Sequence, residues 1–466
     1  MVELEFFGAA ETVTGSMHIL HLPDGPVAVD AGLFQGRREW SREMNKKLPL
    51  NPRELKALLL THAHIDHSGR SPLLTSKGYS GPIYATSATC DLLKIMLADS
   101  AHIQEEDARY WNEKRARSPK EFITPLYTAQ DADAAIRFLY ETQYDQWLPF
   151  ADRCKMRFIE AGHILGSACV HMEINTGDEP IRILFTGDLG RFGLPILRDP
   201  TNPLPEVDYL VTESTYANRR HDNPTEMKQR LVEVIKQTVA AGGKVIIPSF
   251  SVGRTQHLTY FLSQAIGEGL LDPLPIFVDS PLSVKATEVF QKHPECYDAE
   301  ASDFWRSEGD LFGRGLIRYI DAVADSKGLN RVDEPCVIIS ASGMCEAGRI
   351  LHHLKNNVED ERNTILIVGF QAAQTLGRRI VDRMQELRIF GRMYQLMARV
   401  EVLNGFSAHA DVTDFEKLIA PIAPKLKGAF AVHGEGEQVR AMAELLKNAG
   451  CPNVHIPKTG QKFQLT

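Results

Sequence analysis

The sequence predicts an α/β protein: an α/β/β/α core interrupted by an inserted domain of alternating strands and helices. Three observations predict it. The first third reads as short β-strands separated by turns, a regular strand-helix alternation runs from about residue 207 to 396, and the first pattern then returns to the end of the chain. With 466 residues, 43% of them hydrophobic, the chain exceeds what one hydrophobic core usually spans, so two domains are expected. The division reads as 1–206 with 397–466 for the discontinuous core, and 207–396 for the insert.

Taken in order, strand-like runs occupy Val2 to Phe7, Val27 to Val29 and Ala57 to Thr61. A polar, helix-favouring stretch from about Thr89 to Phe150 reads as a solvent-exposed helical insert, its charges forming a solvated face. Strands resume at Ile181 to Phe185 and Tyr209 to Val211. The alternation then brings Lys244-Val245-Ile246-Ile247-Pro248, a helix from Gly253, Ile276 to Val278, Val337 to Ile339 and Ile365 to Val368, which implies a parallel sheet covered on both faces. The closing segment offers a strand at Val400 to Leu403, a helix after Asp411, a strand at Ala429 to Val432, a helix after Glu435 and a strand near Val454.

Composition excludes several classes. No apolar run is long enough to cross a bilayer and no basic-then-apolar leader opens the sequence, so a cytoplasmic protein with no membrane partner is expected. Seven scattered cysteines (Cys90, Cys154, Cys169, Cys296, Cys336, Cys345 and Cys451) form no Cys-x-x-Cys pair, which argues against a disulfide framework and a cysteine-held zinc. Any metal is left to histidines and carboxylates. The net charge of −8 runs against a nucleic-acid binder, unless cationic metal supplies the positive field locally.

The decisive segment is Thr61-His62-Ala63-His64-Ile65-Asp66-His67-Ser68-Gly69, which follows an apolar run and precedes Ser71-Pro72, a cap with proline in the first turn. Three imidazoles and a carboxylate so close together are costly to bury unless something charged satisfies them, and they are the donors zinc takes. Ligands from afar are expected at strand ends beside small residues. Gly162-His163, Thr186-Gly187-Asp188 and Val432-His433-Gly434-Glu435 meet that description.

His-x-His-x-Asp-His, a later histidine before a small-residue turn, and Thr-Gly-Asp together resemble the metallo-β-lactamase superfamily, with Asp30 in Val29-Asp30-Ala31-Gly32 resembling its first motif. Thr212-Glu213-Ser214-Thr215-Tyr216, Phe406-Ser407-Ala408-His409-Ala410-Asp411 and Val432-His433-Gly434-Glu435 are similar to motifs A, B and C of its β-CASP branch. The resemblance implies a metallo-β-lactamase αββα sandwich with an inserted β-CASP α/β domain. It implies two zinc ions, one on His62, His64, His163 and Asp188, the other on Asp66, His67, His433 and the same bridging Asp188, with Asp66 catalytic and Asp30 supporting the site. Zinc lowers the pKa of water toward ~7, so a nucleophile is available at neutral pH.

A phosphodiester leaving group needs a proton donor, for which His409, oriented and kept protonated by Glu213, is the candidate. Two further segments look like substrate-facing loops of the branch: Ser340-Ala341-Ser342-Gly343-Met344 and Gln371-Ala372-Ala373-Gln374-Thr375-Leu376-Gly377-Arg378. Ser342 and Gly343 would bind phosphate ahead of a helix carrying Glu346 to Leu354, and Arg378 would add a charged contact, with Arg379 and Arg254 as further candidates. The implied activity is hydrolysis of single-stranded RNA, internally or from the 5′ end, in RNA processing or decay. DNA is the neighbouring alternative as substrate, a small ester, thioester or lactone the more distant one, and a homodimer is one arrangement left open. A metal-free, non-catalytic member is a third reading, which the complete ligand set opposes.

Overall fold

The computed structural model describes residues 2–36, 38–114, 122–177, 179–313, 315–372 and 374–466. Two compact units divide the chain. One takes Met1–Phe192, Asp199–Arg220 and His409–Thr466, the other Gly193–Arg198 and His221–Ala408.

The first unit holds two mixed sheets. In one, the strand order is Gln461–Leu465, Val2–Gly8, Met17–Leu22, Gly25–Val29, Ala57–Leu59, Ile83–Thr86, Leu139–Thr142; in the other it is Val454–His455, Gly428–Ala431, Tyr209–Thr212, Ile181–Phe185, Ala168–Ile174, Cys154–Glu160, Leu148–Ala151. Alternation along each strand sends Leu4, Phe6, Val27 and Val29 from one sheet and Phe158, Val170, Phe185 and Phe430 from the other into a shared core. The residues between them, such as Ile159, Leu184 and Leu210, face the other way and pack under helices Val412–Ile419 and Glu437–Asn448. Burial of this kind is worth roughly 25 cal/mol per Å² of apolar surface, which makes the sandwich a rigid support for the loops at its strand ends.

Helices Ser71–Ser76, Ser87–Lys114 and Ala129–Ile136 pack together and against the strands Ile83–Thr86 and Leu139–Thr142. This corrects the expectation of an exposed helical insert. The first half of Ser87–Lys114 buries Leu92, Leu93, Met96, Leu97 and Ala101, a helical stripe that its polar remainder concealed. The same stretch ends in strands rather than helix, with Leu148–Ala151 closing the second sheet; residues 115–121 within it lie outside the described set.

The second unit is built on a parallel sheet in the order Ile317–Ile320, Ile276–Asp279, Val337–Ser340, Val245–Pro248, Thr364–Ile367, Arg399–Val402. Arg399–Val402 therefore pairs with Thr364–Ile367 instead of returning to the first pattern, its Val400 packing with Ile365 and Ile367 while Arg399 faces solvent. A separate hairpin, Glu386–Ile389 with Arg392–Gln395, lays Leu387 and Ile389 on the same core. Among the described residues, no helix is long and apolar enough to cross a membrane.

Candidate metal centre

Most chemistry-bearing residues of the first unit follow strand ends, while Asp66 and His67 sit on the short helix Ile65–Ser68 and His409 follows the turn Asn404–Phe406. Asp30 follows Gly25–Val29, His62 follows Ala57–Leu59, His163 follows Cys154–Glu160, Asp188 follows Ile181–Phe185, Glu213 follows Tyr209–Thr212 and His433 follows Gly428–Ala431. Neighbouring loops of each sheet come together because glycine permits backbone approach closer than any side chain would. A Cβ on Gly32 would lie 1.5 Å from the Asp66 carbonyl oxygen, and one on Gly190 would lie 1.8 Å from that of Gly162.

The metal-donor atoms of His62, His64, His163 and Asp188 lie within 4.8 Å of one another, and so do those of Asp66, His67 and His433. Asp188 faces both groups. Its Oδ2 stands 3.5 Å from His62 Nε2 and 3.6 Å from His163 Nε2, while its Oδ1 stands 3.3 Å from His67 Nε2 and 3.4 Å from His433 Nδ1. His433 Nε2 lies 3.7 Å from Asp66 Oδ2.

Ring nitrogens also face one another: His62 Nε2 and His64 Nδ1 at 3.1 Å, His163 Nε2 and His64 Nδ1 at 3.3 Å, His67 Nε2 and His433 Nε2 at 3.1 Å. Such pairs can share at most one proton, so lone pairs converge on the same space. Burial, followed by neighbouring histidines, pushes His62 and His163 well below the usual imidazole range and leaves them in the neutral, ligating form. Asp188 Oδ1 is buried without a well-formed hydrogen bond. Neutral imidazole and carboxylate are zinc's nitrogen and oxygen donors, and this set fits a divalent metal.

Three of the rings, His62, His67 and His433, have their Nδ1 met by a supporting layer. Asp30 accepts from His67 Nδ1 at 2.7 Å and from the Thr61 amide at 2.9 Å, with φ +63° in a turn that delivers its carboxylate inward. Thr61 Oγ1 contacts His62 Nδ1 at 3.0 Å, and Thr215 Oγ1 contacts His433 Nδ1 at 3.2 Å. Partners of this kind fix which nitrogen carries the proton and aim the other.

Sequence reasoning missed Thr61 and Thr215. It also missed Arg70, whose guanidinium is buried between the rings of Phe7 and Phe34 at 5.0 and 5.1 Å and donates to the carbonyls of Gly32 and Lys47 at 2.6 and 3.3 Å. Burial lowers this arginine to about 9, and it anchors the turn that carries Asp30. The one available signal was a cation separated only by Ser71 from the apolar run Pro72-Leu73-Leu74. Ser71, expected as the helix cap, is instead the first helical residue, with Arg70 in the cap position.

His409 and Glu213 meet. Glu213 Oε1 accepts from the Leu189 amide at 2.7 Å and stands 3.2 Å from His409 Nδ1, while Oε2 accepts from the Thr215 amide. The His409 ring lies 4.4 Å from that of His163, and its Nδ1 is 3.9 Å from Asp188 Oδ2. Burial alone would push His409 down, but Glu213, then Asp188 and Asp66, hold it up at about 9.

The expected phosphate contacts belong to the second unit, and there the local structure differs from the sequence reading. The helix after Ser342-Gly343 begins at Ile350, and Ser342 Oγ accepts from the amides of Glu346 and Ala347 in the intervening turns. Arg378 is half-exposed and paired with Asp382 at 2.9 Å. Gln374 holds φ +71°, a conformation glycine adopts more cheaply; Ala373 beside it lies outside the described residues.

Comparison with known proteins agrees with this geometry. Residues 15–225 match the metallo-beta-lactamase superfamily, 255–380 the Beta-Casp domain, and 393–457 the Zn-dependent metallo-hydrolase RNA specificity domain. Ribonuclease TTHA0252 of Thermus thermophilus is 34% identical over 95% of this chain and 96% of its own length. The chain belongs to the β-CASP family of the metallo-β-lactamase superfamily. The expected fold class holds, and the protein is a metal-dependent hydrolase. Transcription termination factor FttA of Methanosarcina mazei is a further β-CASP relative, 29% identical over 93% of this chain and 67% of its own length. A solved Enterococcus faecalis protein of unknown function shares the fold over the full length of both chains, with a TM-score of 0.56 at 14% identity.

Proposed function

We infer that this β-CASP hydrolase is a two-zinc ribonuclease that cuts phosphodiester bonds of single-stranded RNA. The observation that carries the two-metal reading is the division of Asp188, one carboxylate oxygen toward His62 and His163 and the other toward His67 and His433. In this reading His62, His64, His163 and Asp188 hold one ion, and Asp66, His67, His433 and Asp188 the other. Bound there, zinc supplies Lewis acidity that neutralises charge on phosphoryl oxygens and makes water a stronger acid. RNA as the substrate is supported by the match of 393–457 to an RNA specificity domain and by a full-length relative named a ribonuclease.

The chain's own groups manage the leaving alkoxide. Glu213 Oε1, fixed by the Leu189 amide, takes the Nδ1 proton of His409 as a hydrogen bond and leaves Nε2 to donate its proton to the departing oxygen. Its carboxylate also keeps the imidazole charged at neutral pH. Ser342, Gly343 and Arg378 are assigned to phosphates beyond the cut; Arg378 would exchange its surface pair with Asp382 for phosphate at little cost.

The test is cleavage of a 5′-labelled single-stranded RNA and of its all-deoxy counterpart by zinc-loaded wild type, Asp188→Ala and His409→Ala proteins. Wild type should cut RNA preferentially, Asp188→Ala should be inactive, and His409→Ala should lose roughly 10²- to 10⁴-fold in kcat. Equal cutting of both polymers would withdraw the RNA assignment, and no cutting of either would overturn the nuclease.

A further inference from the structure

The hairpin of the second unit carries a feature that stability does not explain. Its two-residue turn is Phe390-Gly391, closed by the pair Ile389 and Arg392, and both turn residues have positive φ, +49° and +81°. A turn of this hand is best served by Asn-Gly or Asp-Gly, because a bulky side chain in the left-handed region is strained. Phenylalanine is an unfavourable choice there. Burial does not compensate, since Phe390 remains 56% exposed.

The surroundings of the ring indicate a use. The exposed imidazole of His352 lies against Phe390 with ring centres 4.7 Å apart, and Lys355 Nζ is 5.7 Å from the ring centre. Arg388, Arg392 and Met393 are exposed on the same hairpin, and among the described residues no acidic side chain pairs with either arginine. From Leu376 to Arg399 the chain has six arginines against Asp382 and Glu386, a local charge of +4 in a chain of net −8. Leu387 and Ile389 are fully buried beneath, so the hairpin is anchored on the core and presents its tip without ordering cost.

An exposed, pre-positioned aromatic ring flanked by unpaired cations is the combination that binds unstacked bases together with their phosphates. We propose that Phe390, with His352, Lys355 and Arg392, forms a stacking platform for single-stranded RNA, a second binding surface built from the second unit alone. It rests on the RNA assignment above. Strain at Phe390 is then the cost of displaying a ring where asparagine would be steadier.

The experiment measures the affinity of labelled single-stranded RNA by fluorescence anisotropy in a His409→Ala background, which retains every metal ligand. Phe390→Asn should weaken binding about ten-fold, Phe390→Trp should not, and duplex RNA of the same sequence should be affected less than about two-fold, because its bases are already stacked. The melting temperature of Phe390→Asn should equal or exceed that of its parent. Replacing Arg392 by glutamine should flatten the dependence of log affinity on log salt by about 0.7, the share of one phosphate no longer neutralised. Unchanged affinity in Phe390→Asn, or a fall in affinity matched by a fall in melting temperature, would remove the platform and leave the ribonuclease standing. A parent that binds no RNA yet hydrolyses bis(p-nitrophenyl) phosphate in the wild-type form would remove both.

Discussion

Glu213 and His409 show what a single buried carboxylate does to a neighbouring imidazole. Desolvation favours the neutral ring, and Glu213 at 3.2 Å reverses that preference. A proton donor loses activity as pH rises through its own pKa. Glu213→Gln removes the charge that holds His409 up, so the alkaline limb of its kcat profile should move to lower pH while the acid limb stays in place. A pH-rate profile measured at saturating zinc tests this, and an unmoved alkaline limb would mean that His409 is not the acid. The residues of the candidate metal centre were legible in the sequence because His62, His64, Asp66 and His67 crowd one short segment and the distant partners sit beside glycines. Thr61, Thr215 and Arg70 were not legible. Thr215 and Arg70 act through contacts with His433 and Gly32, and Thr61 is fixed by Asp30, interactions that exist only once loops distant in sequence meet; a threonine or arginine beside a motif has many ordinary reasons to be there.

At the scale of elements, the sheet of the second unit owes part of its order to Asp279 at the end of the strand Ile276–Asp279. Its carboxylate is fully buried and accepts from His353 Nε2 at 2.6 Å, Ser326 Oγ at 2.6 Å and Arg349 Nη1 at 2.7 Å, which ties the helix Ile350–Asn357 and the helix Val323–Gly328 to the strand. Burial would raise this carboxyl, but the hydrogen bonds from His353, Ser326 and Arg349 hold it below its ordinary value. Its contribution is therefore complete above the unfolded carboxylate pKa of about 4 and is lost as pH falls through the lower folded value. Asp279→Asn should cost about 3 kcal/mol near neutrality. The gap between variant and wild type in urea unfolding should close as the solution is acidified; a constant gap would show that the carboxylate charge is not what holds the helices. Strand positions in this unit were readable from β-branched runs such as Val245-Ile246-Ile247. Two elements resisted. The helix Ser87–Lys114 hides a buried stripe under a polar composition, and Arg399–Val402 has the same alternation whichever sheet receives it.

For the whole molecule, charge and length carried unequal information. A net charge of −8 spoke against nucleic acid, yet the arginines between Leu376 and Arg399 concentrate positive charge within one segment, and a global sum cannot register that. The interrupted pattern was visible because a parallel alternation differs from the antiparallel strands that precede it. The proposed two-metal mechanism depends most on Asp188 serving both ions. Zinc content per chain, measured by elemental analysis on wild type and on Asp188→Asn after removal of loosely bound metal, tests that claim directly. The expected result is two zinc ions per wild-type chain and a substantial loss from both positions in the variant, because one carboxylate faces both ligand groups. A wild type that saturates at one zinc, or a variant that keeps two, would contradict it.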